Sequence, residues 1–157
     1  MLEKVVSGGQ TGADRAALDA AAECGLATGG WVPLGRRAED GQVPSRYRGL
    51  LEADSRSYAH RTQLNVRDSD ATLVVTFGRP RGGSALTLDL ARSLGRPVLA
   101  LDLARLTREQ AVARLEAWLD EIGPRVLNVA GPRASQEPRI GDAVRALLRA
   151  ALGRPSA

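Results

Sequence analysis

Short runs in which every residue is apolar constrain the fold of this chain most strongly. Residues 73–75 (Leu-Val-Val) and residues 98–101 (Val-Leu-Ala-Leu) show no alternation of apolar and polar positions. A strand with this pattern is buried on both faces, as in a parallel sheet that is covered by helices on each side. The sequence therefore predicts an α/β protein with a mostly parallel sheet.

Strand and helix signals alternate along the chain, which is typical of this fold class. The pattern predicts strands at residues 4–7, 29–33, 71–77, 97–103 and 126–130, and helices at residues 13–24, 57–66, 84–94, 107–122 and after Pro138. Thr107 and Gln110 form a capping box at the start of the fourth helix. Together these elements predict one Rossmann-like, doubly wound domain of about five or more strands over residues 1–152, with helices on both faces and a frayed tail at residues 153–157.

Residues 34–54 show no helical or strand period, so they are expected to form a long loop over the site. Loops of this length inside a compact domain are often lids or binding loops. A solvated, charged loop without a role in binding is the alternative.

The composition excludes several classes of protein. Hydrophobic residues make up 43% of the 157 residues and charged residues 25%, as in a soluble globular chain. No apolar run approaches the ~20 residues that cross a membrane, and the first residues do not form a signal peptide. The single cysteine, Cys24, excludes an internal disulfide framework, so a cytoplasmic location is expected.

The net charge of +4 comes from arginine, since Lys4 is the one lysine in the chain. Aromatic residues make up only 3% of the sequence, which leaves little surface on which nucleobases could stack. The composition therefore argues against a nucleic-acid partner.

Two glycine doublets follow predicted strands and precede predicted helices. Gly8-Gly9 lies after the first strand, and Gly82-Gly83 lies after the third. Unpaired amides at the start of a helix, together with the helix dipole, attract anions. The sequence thus predicts a small anionic ligand that carries phosphate, bound by both turns in one pocket. A valine at Gly9 is then expected to block the ligand and leave the fold intact.

Further candidates lie at the same edge of the sheet, where the carboxyl ends of parallel strands meet. Arginine can bind phosphate with two hydrogen bonds, and a tryptophan can form a pocket wall. The complete set of candidate binding residues is Gly8, Gly9, Gln10, Thr11, Gly12, Asp14, Trp31, Arg36, Gly78, Arg81, Gly82, Gly83, Ser84, Gly131 and Arg133.

Several of these residues have a structural role as the alternative to ligand binding. Asp14 can serve the dipole of the first helix, Ser84 can be a helix N-cap, and Trp31 can belong to the core. Residues 58, 61, 62 and 65 share one helix face that meets ligand, a partner subunit or solvent. Asp68 and Asp70 precede a strand and are expected to be turn and cap residues at the opposite edge.

The sequence provides no metal site and no evident nucleophile. His60 is the single histidine, so a zinc site cannot be assembled from it and Cys24. Cys24 lies near the end of a predicted helix, where nothing lowers the pKa of its thiol.

Five segments carry a family resemblance: residues 7–19 (SGGQTGADRAALD), 29–33 (GGWVP), 35–41 (GRRAEDG), 65–70 (NVRDSD) and 127–133 (LNVAGPR). From about Lys4 to Leu148, the chain resembles the bacterial proteins called putative molybdenum carriers. These belong to the SLOG superfamily, which also contains the LOG phosphoribohydrolases, often mislabelled lysine decarboxylases, and DprA-like proteins. The resemblance implies a Rossmann-like fold, a homo-oligomer (dimer or tetramer), and a nucleotide-like ligand or the phosphate-bearing molybdenum cofactor.

The hydrolase branch of this superfamily carries a Pro-Gly-Gly-x-Gly-Thr-x-x-Glu motif whose glutamate is catalytic. When its glycine doublet is aligned on Gly82-Gly83, Ala85 and Leu86 replace the Gly-Thr pair and Asp89 replaces the glutamate. The shorter side chain makes hydrolysis by that route doubtful, because a misplacement of ~1 Å can cost ~100-fold in rate. The resemblance therefore implies a binding protein, a carrier of molybdenum cofactor or nucleotide. The alternatives are a nucleotide N-glycosidase that uses Asp89 and a sensor of nucleotide derivatives.

Overall fold

Residues 1–153, the part of the chain that the computed structural model describes, form five α-helices and eight strands. The helices are α1 (Ala13–Glu23), α2 (Tyr58–Arg67), α3 (Gly82–Ser93), α4 (Arg108–Ile122) and α5 (Ile140–Leu152). The strands are β1 (Lys4–Val6), β2 (Ala27–Val32), β3 (Arg37–Ala38), β4 (Gly41–Gln42), β5 (Leu50–Glu52), β6 (Ala71–Thr76), β7 (Val98–Asp102) and β8 (Val126–Ala130). Of the predicted tail, residues 154–157 lie outside the described residues.

Six strands form one sheet in the order β5-β2-β1-β8-β6-β7, and each pair of neighbours is parallel. The chain adds β2 and β5 outward from β1, places β6 and β7 on the other side, and returns to insert β8 between β1 and β6. The predicted α/β, doubly wound architecture is confirmed. The order reverses around β8, and a reversal of this kind leaves a crevice at the carboxyl ends of the strands.

Helices cover both faces of the sheet. On one face, α1, α4 and α5 enclose a core that includes Val5, Leu73 and Leu127, all fully buried. On the other face, α2 and α3 pack against each other and bury Val66 and Leu88. Burial of each such side chain stabilises the fold by ~1.5–3 kcal/mol. Because it is covered on both sides, β6 is buried at every position, as its apolar run predicts.

Strand β7 differs from the prediction of full burial. It lies at the edge of the sheet, where Ala100 is exposed, Val98, Leu99 and Asp102 are half-buried, and only Leu101 is fully buried. An edge strand pairs on one side only and is less completely covered than a central strand. An apolar run therefore indicates a parallel strand without showing its place in the sheet.

Residues 34–54 are more regular than the predicted loop. They contain a short 3₁₀ turn (Leu34–Arg36), the antiparallel hairpin β3–β4 and the edge strand β5. Val43 and Tyr47 pack against Leu18 of α1 and Val32 of β2 in a second, smaller core. The segment is a packed layer beside the sheet, so the prediction of a long irregular loop is wrong.

The predicted ends of α4 are confirmed. The Thr107 hydroxyl accepts a hydrogen bond from the Gln110 N–H at 3.1 Å, and the Gln110 side chain accepts one from the Thr107 N–H at 2.9 Å. Gly123 ends the helix in the left-handed conformation, with φ 62°. Both ends are therefore encoded locally in the sequence.

Candidate functional site

A cavity of about 250 Å³ lies at the carboxyl ends of β1 and β8, beneath α2 and the start of α3. It contains residues from both glycine turns and from the loop after β8. The candidates that line it are Gly8, Gln10, Asp14, Gly83, Ser84, Gly131 and Arg133. The structure therefore brings seven of the fifteen predicted binding residues together at the reversal of strand order, where α/β proteins bind their ligands.

The polar face of α2 also lines this cavity. Tyr58, Arg61, Thr62 and Asn65 all contribute to its wall, and Arg61 and Asn65 are buried. The solvent-exposed alternative for this helix face is therefore wrong. Their spacing of three and four residues places the four side chains on one side of the helix.

Arg61 supplies a buried positive charge at the cavity, with only 8% of the residue exposed. Its Nη1 donates to the carbonyl of Gly8, and its Nε donates to the carbonyl of Tyr58 at 3.2 Å. The nearby carboxylate of Asp14 lies 3.8 Å from Nη1, beyond hydrogen-bond distance. Burial lowers the pKa of Arg61 despite the attraction of Asp14. The cost of burying this charge is thus incompletely offset, and an anion in the cavity would reduce it.

Asp14 lies in the first turn of α1 and is nearly as buried as Arg61. Its Oδ2 accepts a hydrogen bond from the Gln10 N–H at 3.1 Å. Burial raises the pKa of Asp14, while Arg61 and the Gln10 N–H oppose that shift. The carboxylate therefore orders the first turn as well as facing the cavity.

Arg133 adds a second positive charge, carried by the loop after β8. The charged group of Arg133 lies 5.5 Å from the centre of the Tyr58 ring, and that of Arg61 lies 5.4 Å from it. Glu39 lies 3.9 Å from Nε of Arg133, too far for a close ion pair. The wall beside Tyr58 is thus cationic and contains one aromatic ring.

The second glycine turn is open. A side chain built at Gly82 or Gly83 would meet no atom within 4 Å. Arg81 is the N-cap residue of α3 and provides no capping hydrogen bond, so the alternative role of Ser84 as N-cap is wrong. Within residues 1–153, the N–H groups of Gly82 and Gly83 have no protein acceptor. An uncapped helix start of this kind is suited to an anion.

The first glycine turn is closed by the protein itself. The N–H of Gln10 donates to Asp14, and that of Thr11 donates to the side-chain oxygen of Gln10 at 3.1 Å. The N–H of Gly9 points to the hydroxyl of Ser7 at 3.4 Å. The prediction of free amides is therefore wrong for residues 9–11, because neighbouring residues in the sequence supply their acceptors.

Packing explains why this first turn needs glycine. A side chain at Gly8 would lie 2.1 Å from Nη1 of Arg61, and one at Gly12 would lie 2.6 Å from the carbonyl oxygen of Pro132. Gly9 faces Val32 and Val43 at 3.0–3.2 Å and not the cavity. A valine at Gly9 would therefore disturb packing, and the expectation that it blocks ligand in an intact fold is wrong.

Thr11 holds the neighbouring loops together. Its hydroxyl donates to Glu39 and accepts from the N–H of Ala134 at 3.1 Å. Glu39 also accepts a hydrogen bond from the N–H of Ser135 at 3.2 Å. The β3–β4 hairpin is therefore attached to the turn after β1 and to the loop after β8.

Eight candidates do not line the first cavity, namely Gly9, Thr11, Gly12, Trp31, Arg36, Gly78, Arg81 and Gly82. Trp31 donates its N–H to Asn65 at 2.7 Å and its indole N–H to Asp68 at 2.9 Å, so it connects β2 to α2. Arg36 donates to the carbonyls of Val43 at 3.0 Å and Pro44 at 2.8 Å. Neither side chain lines the site, because both are engaged in ordering the protein.

The cap and turn roles predicted for the two aspartates before β6 are confirmed. Asp68 is the C-cap residue of α2, and Asp70 accepts hydrogen bonds from the N–H groups of Arg125 and Val126.

Gly78 and Arg81 line a second cavity of about 470 Å³, which shares Ser84 and Gln136 with the first. Asp89, the candidate catalytic residue, is exposed on α3 and lines neither cavity. The alignment with the hydrolase motif therefore places its carboxylate away from the site.

Asn128 is a site residue that sequence reasoning missed. It is 3% exposed on β8, lines the first cavity, and lies with Nδ2 at 3.4 Å from the hydroxyl of Thr72. A polar side chain in the otherwise apolar strand at residues 126–130 was the available signal.

Residues 1–153 contain no group of three or more His, Cys, Asp or Glu side chains that could hold a metal ion. His60 pairs with Asp54 at 3.1 Å, and Cys24 is the C-cap residue of α1. Within the same residues, no helix has the length and hydropathy needed to span a membrane.

The fold and the crevice at its strand reversal define an α/β protein of the Rossmann-like class. The chain matches the circularly permutated YpsA SLOG family over residues 5–152. It is also similar to the crystal structure of a putative molybdenum carrier protein from Syntrophus aciditrophicus SB, with 46% identity and a TM-score of 0.94 over 96% of this chain and 95% of that chain. No curated protein matches. The chain belongs to the circularly permutated YpsA SLOG family, so the predicted superfamily is confirmed.

Proposed function

We propose that this protein binds a phosphate-bearing small molecule and acts as a carrier, with molybdenum cofactor or a nucleotide as its cargo. The observation that carries the proposal is the open start of α3 beside a cavity that contains Arg61. The free N–H groups of Gly82 and Gly83 and two arginines, Arg61 and Arg133, all favour a negative charge there. The 46% identity to a putative molybdenum carrier protein supports the nature of the cargo.

The site can bind a molybdenum-bearing cargo through anionic oxygen atoms of that cargo. The described residues offer amides and guanidinium groups to an anion and no cluster of metal ligands. The protein would therefore hold the phosphate end of the cofactor. Its residues would exclude water from that end and leave the metal to the cofactor's own atoms.

An N-glycosidase is the second candidate, and Asp14 is the observation that favours it. Asp14 is the carboxylate that lines the first cavity, and its raised pKa is of the kind found in acid–base catalysts. Incubation with purine nucleoside monophosphates, followed by chromatography for free base, separates the two functions. Stoichiometric binding without base supports the carrier, whereas turnover that is lost in Asp14→Asn supports the enzyme.

A substitution that stabilises the helix while repelling the ligand tests the proposed site. In Gly83→Asp, the new carboxylate lies in the first turn of α3, where its interaction with the helix dipole is favourable. It also faces the cavity, where like-charge repulsion should weaken the binding of AMP at least about tenfold by isothermal titration calorimetry.

Gly141→Asp is the matched control, because Gly141 is likewise the second residue of a helix and does not line the first cavity. It should leave the affinity for AMP unchanged. Equal affinities in wild type and Gly83→Asp would refute the proposed site. If neither AMP nor inorganic phosphate bound to the wild type, the proposed function itself would be wrong.

A further inference from the structure

The two cavities adjoin each other at the start of α3. The first, of about 250 Å³, and the second, of about 470 Å³, share the side chains of Ser84 and Gln136. Small-molecule sites commonly have volumes of ~300–1,000 Å³, a range that the first cavity reaches only together with the second. Gly83, whose N–H has no acceptor among the described residues, lines the first cavity next to Ser84.

Each cavity contains an aromatic ring, although the whole chain has only two tyrosines, two tryptophans and one phenylalanine. Tyr58 lines the first cavity and Phe77 lines the second, and both are half-buried. Arginine groups lie over both rings, with Arg37 at 4.3 Å from the Tyr58 centroid and Arg139 at 4.1 Å from the Phe77 centroid. Each ring therefore lies in a cationic environment, and a planar ring of a ligand in either cavity could contact the aromatic ring that lines that cavity.

Positive charge is present on both sides of the border. Arg61 and Arg133 lie at the first cavity, and Arg79 and Arg81 lie at the second. Within residues 1–153, neither Arg79 nor Arg81 forms an ion pair. The acidic residue at the second cavity, Glu137, is paired with Arg139 at 2.9 Å. A ligand with two linked anionic groups would therefore have arginines near it in both cavities.

From these features we infer that one ligand occupies both cavities, with a planar ring in each and a diphosphate between them at residues 82–84. This inference rests on the proposed function and narrows its ligand class. The ligand is then a molecule of dinucleotide type, in which the ring groups are nucleobases or a pterin, and not a mononucleotide. Tyr58 and Phe77 would each contact one ring, and the amides of Gly82 and Gly83 would contact the diphosphate.

Titration calorimetry with AMP, ADP and diadenosine diphosphate tests the inference. ADP has one phosphate more than AMP, and diadenosine diphosphate has a second base in addition. Diadenosine diphosphate should bind at least about tenfold more tightly than ADP, because stacking of a base on an aromatic side chain contributes ~1–3 kcal/mol. Arg79→Ala should reduce this advantage severalfold and leave the affinity for AMP within about twofold, because Arg79 lines only the second cavity.

Arg92→Ala is the charge-matched control, since Arg92 is exposed on α3 and lines neither cavity. It should change none of the three affinities. Equal binding of AMP and diadenosine diphosphate, or an Arg79→Ala variant identical to wild type, would overturn the two-ring ligand and leave the proposed phosphate site intact. The absence of binding by all three probes would overturn both.

Discussion

The glycine turns after β1 and after β6 differ in what surrounds them. In the turn after β1, the missing side chains of Gly8 and Gly12 leave room for Arg61 and for the carbonyl of Pro132. In the turn after β6, side chains at Gly82 and Gly83 would meet nothing within 4 Å. One turn is closed by protein atoms, and the other has open space beside its glycines and N–H groups without an acceptor among the described residues.

The comparison shows that a glycine doublet at a strand–helix junction has two distinct physical causes. Close approach of other protein atoms requires glycine in the first turn, where the acceptors Ser7 and Asp14 pair the amides. In the second turn, neither packing nor hydrogen bonding within the protein requires the glycine at position 83. A residue that is costly for helix propensity and needed by no neighbour is the better indication of binding.

The largest effect expected from this difference is on folding. Gly12→Ala should lower the free energy of unfolding by roughly 2–5 kcal/mol, because the new methyl group meets the Pro132 carbonyl and φ is +80°. Urea denaturation measures the change. Gly141→Ala, whose methyl group would have no neighbour closer than 4.0 Å, is the control. A loss below about 1 kcal/mol would contradict the account of the closed turn.

The next effect concerns the attachment of the first turn to the β3–β4 hairpin. Burial acts to raise the pKa of Glu39, but hydrogen bonds from Ser135 and Thr11 outweigh it and lower that pKa below 4.5. Glu39→Gln should therefore cost about 1.5 kcal/mol at neutral pH, the lower end of the usual contribution of a hydrogen bond to a charged group, because Glu39 is exposed and solvent screens the interaction.

The pH dependence of that loss has a definite sign. A carboxylate with a lowered pKa contributes its stability above the unfolded value and loses it as the pH falls through the folded value. The difference between wild type and Glu39→Gln should thus be constant above pH 4.5 and shrink below it, in denaturation curves taken across this range. A difference that grew on acidification would show that the attachment does not depend on the ionised carboxylate.

The smallest expected effect is a gain in stability, at the turn after β6. Gly83→Ala should raise the free energy of unfolding by up to about 1 kcal/mol, because alanine is the better helix former and nothing obstructs its methyl group. The same methyl group should weaken the binding of AMP. Gly141→Ala, the control, should also stabilise the protein but leave the affinity for AMP unchanged. Destabilisation by Gly83→Ala would show that the second turn is also closed by packing.

Much of the fold could be predicted from local patterns. Strand β6 and helix α4 are recognisable because an uninterrupted apolar run and a capping box act over a few residues. Strand β5 was not predictable, since Leu50–Glu52 is mostly exposed and is a strand only through pairing with β2. Homo-oligomerisation and a cytoplasmic location stay predictions from the sequence.

The candidate site was predicted in part. Gly83, Ser84 and Arg133 line the cavity as expected, because the carboxyl ends of parallel strands meet at one edge. Arg36 and Trp31 were placed there wrongly. Arg36 binds carbonyls of its own segment, and Trp31 binds Asp68, which lies 37 positions away.

By itself, the sequence determined the class of fold and the edge of the sheet at which a site would form, because periodicity and turn chemistry act between near neighbours. The tertiary structure alone decided which glycines are enclosed by other parts of the protein and which have open space beside them. A hydrogen-bond acceptor or a colliding atom can come from anywhere in the chain, as Arg61 does for Gly8 across 53 positions. Packing therefore separates a structural glycine from one that leaves space for a ligand.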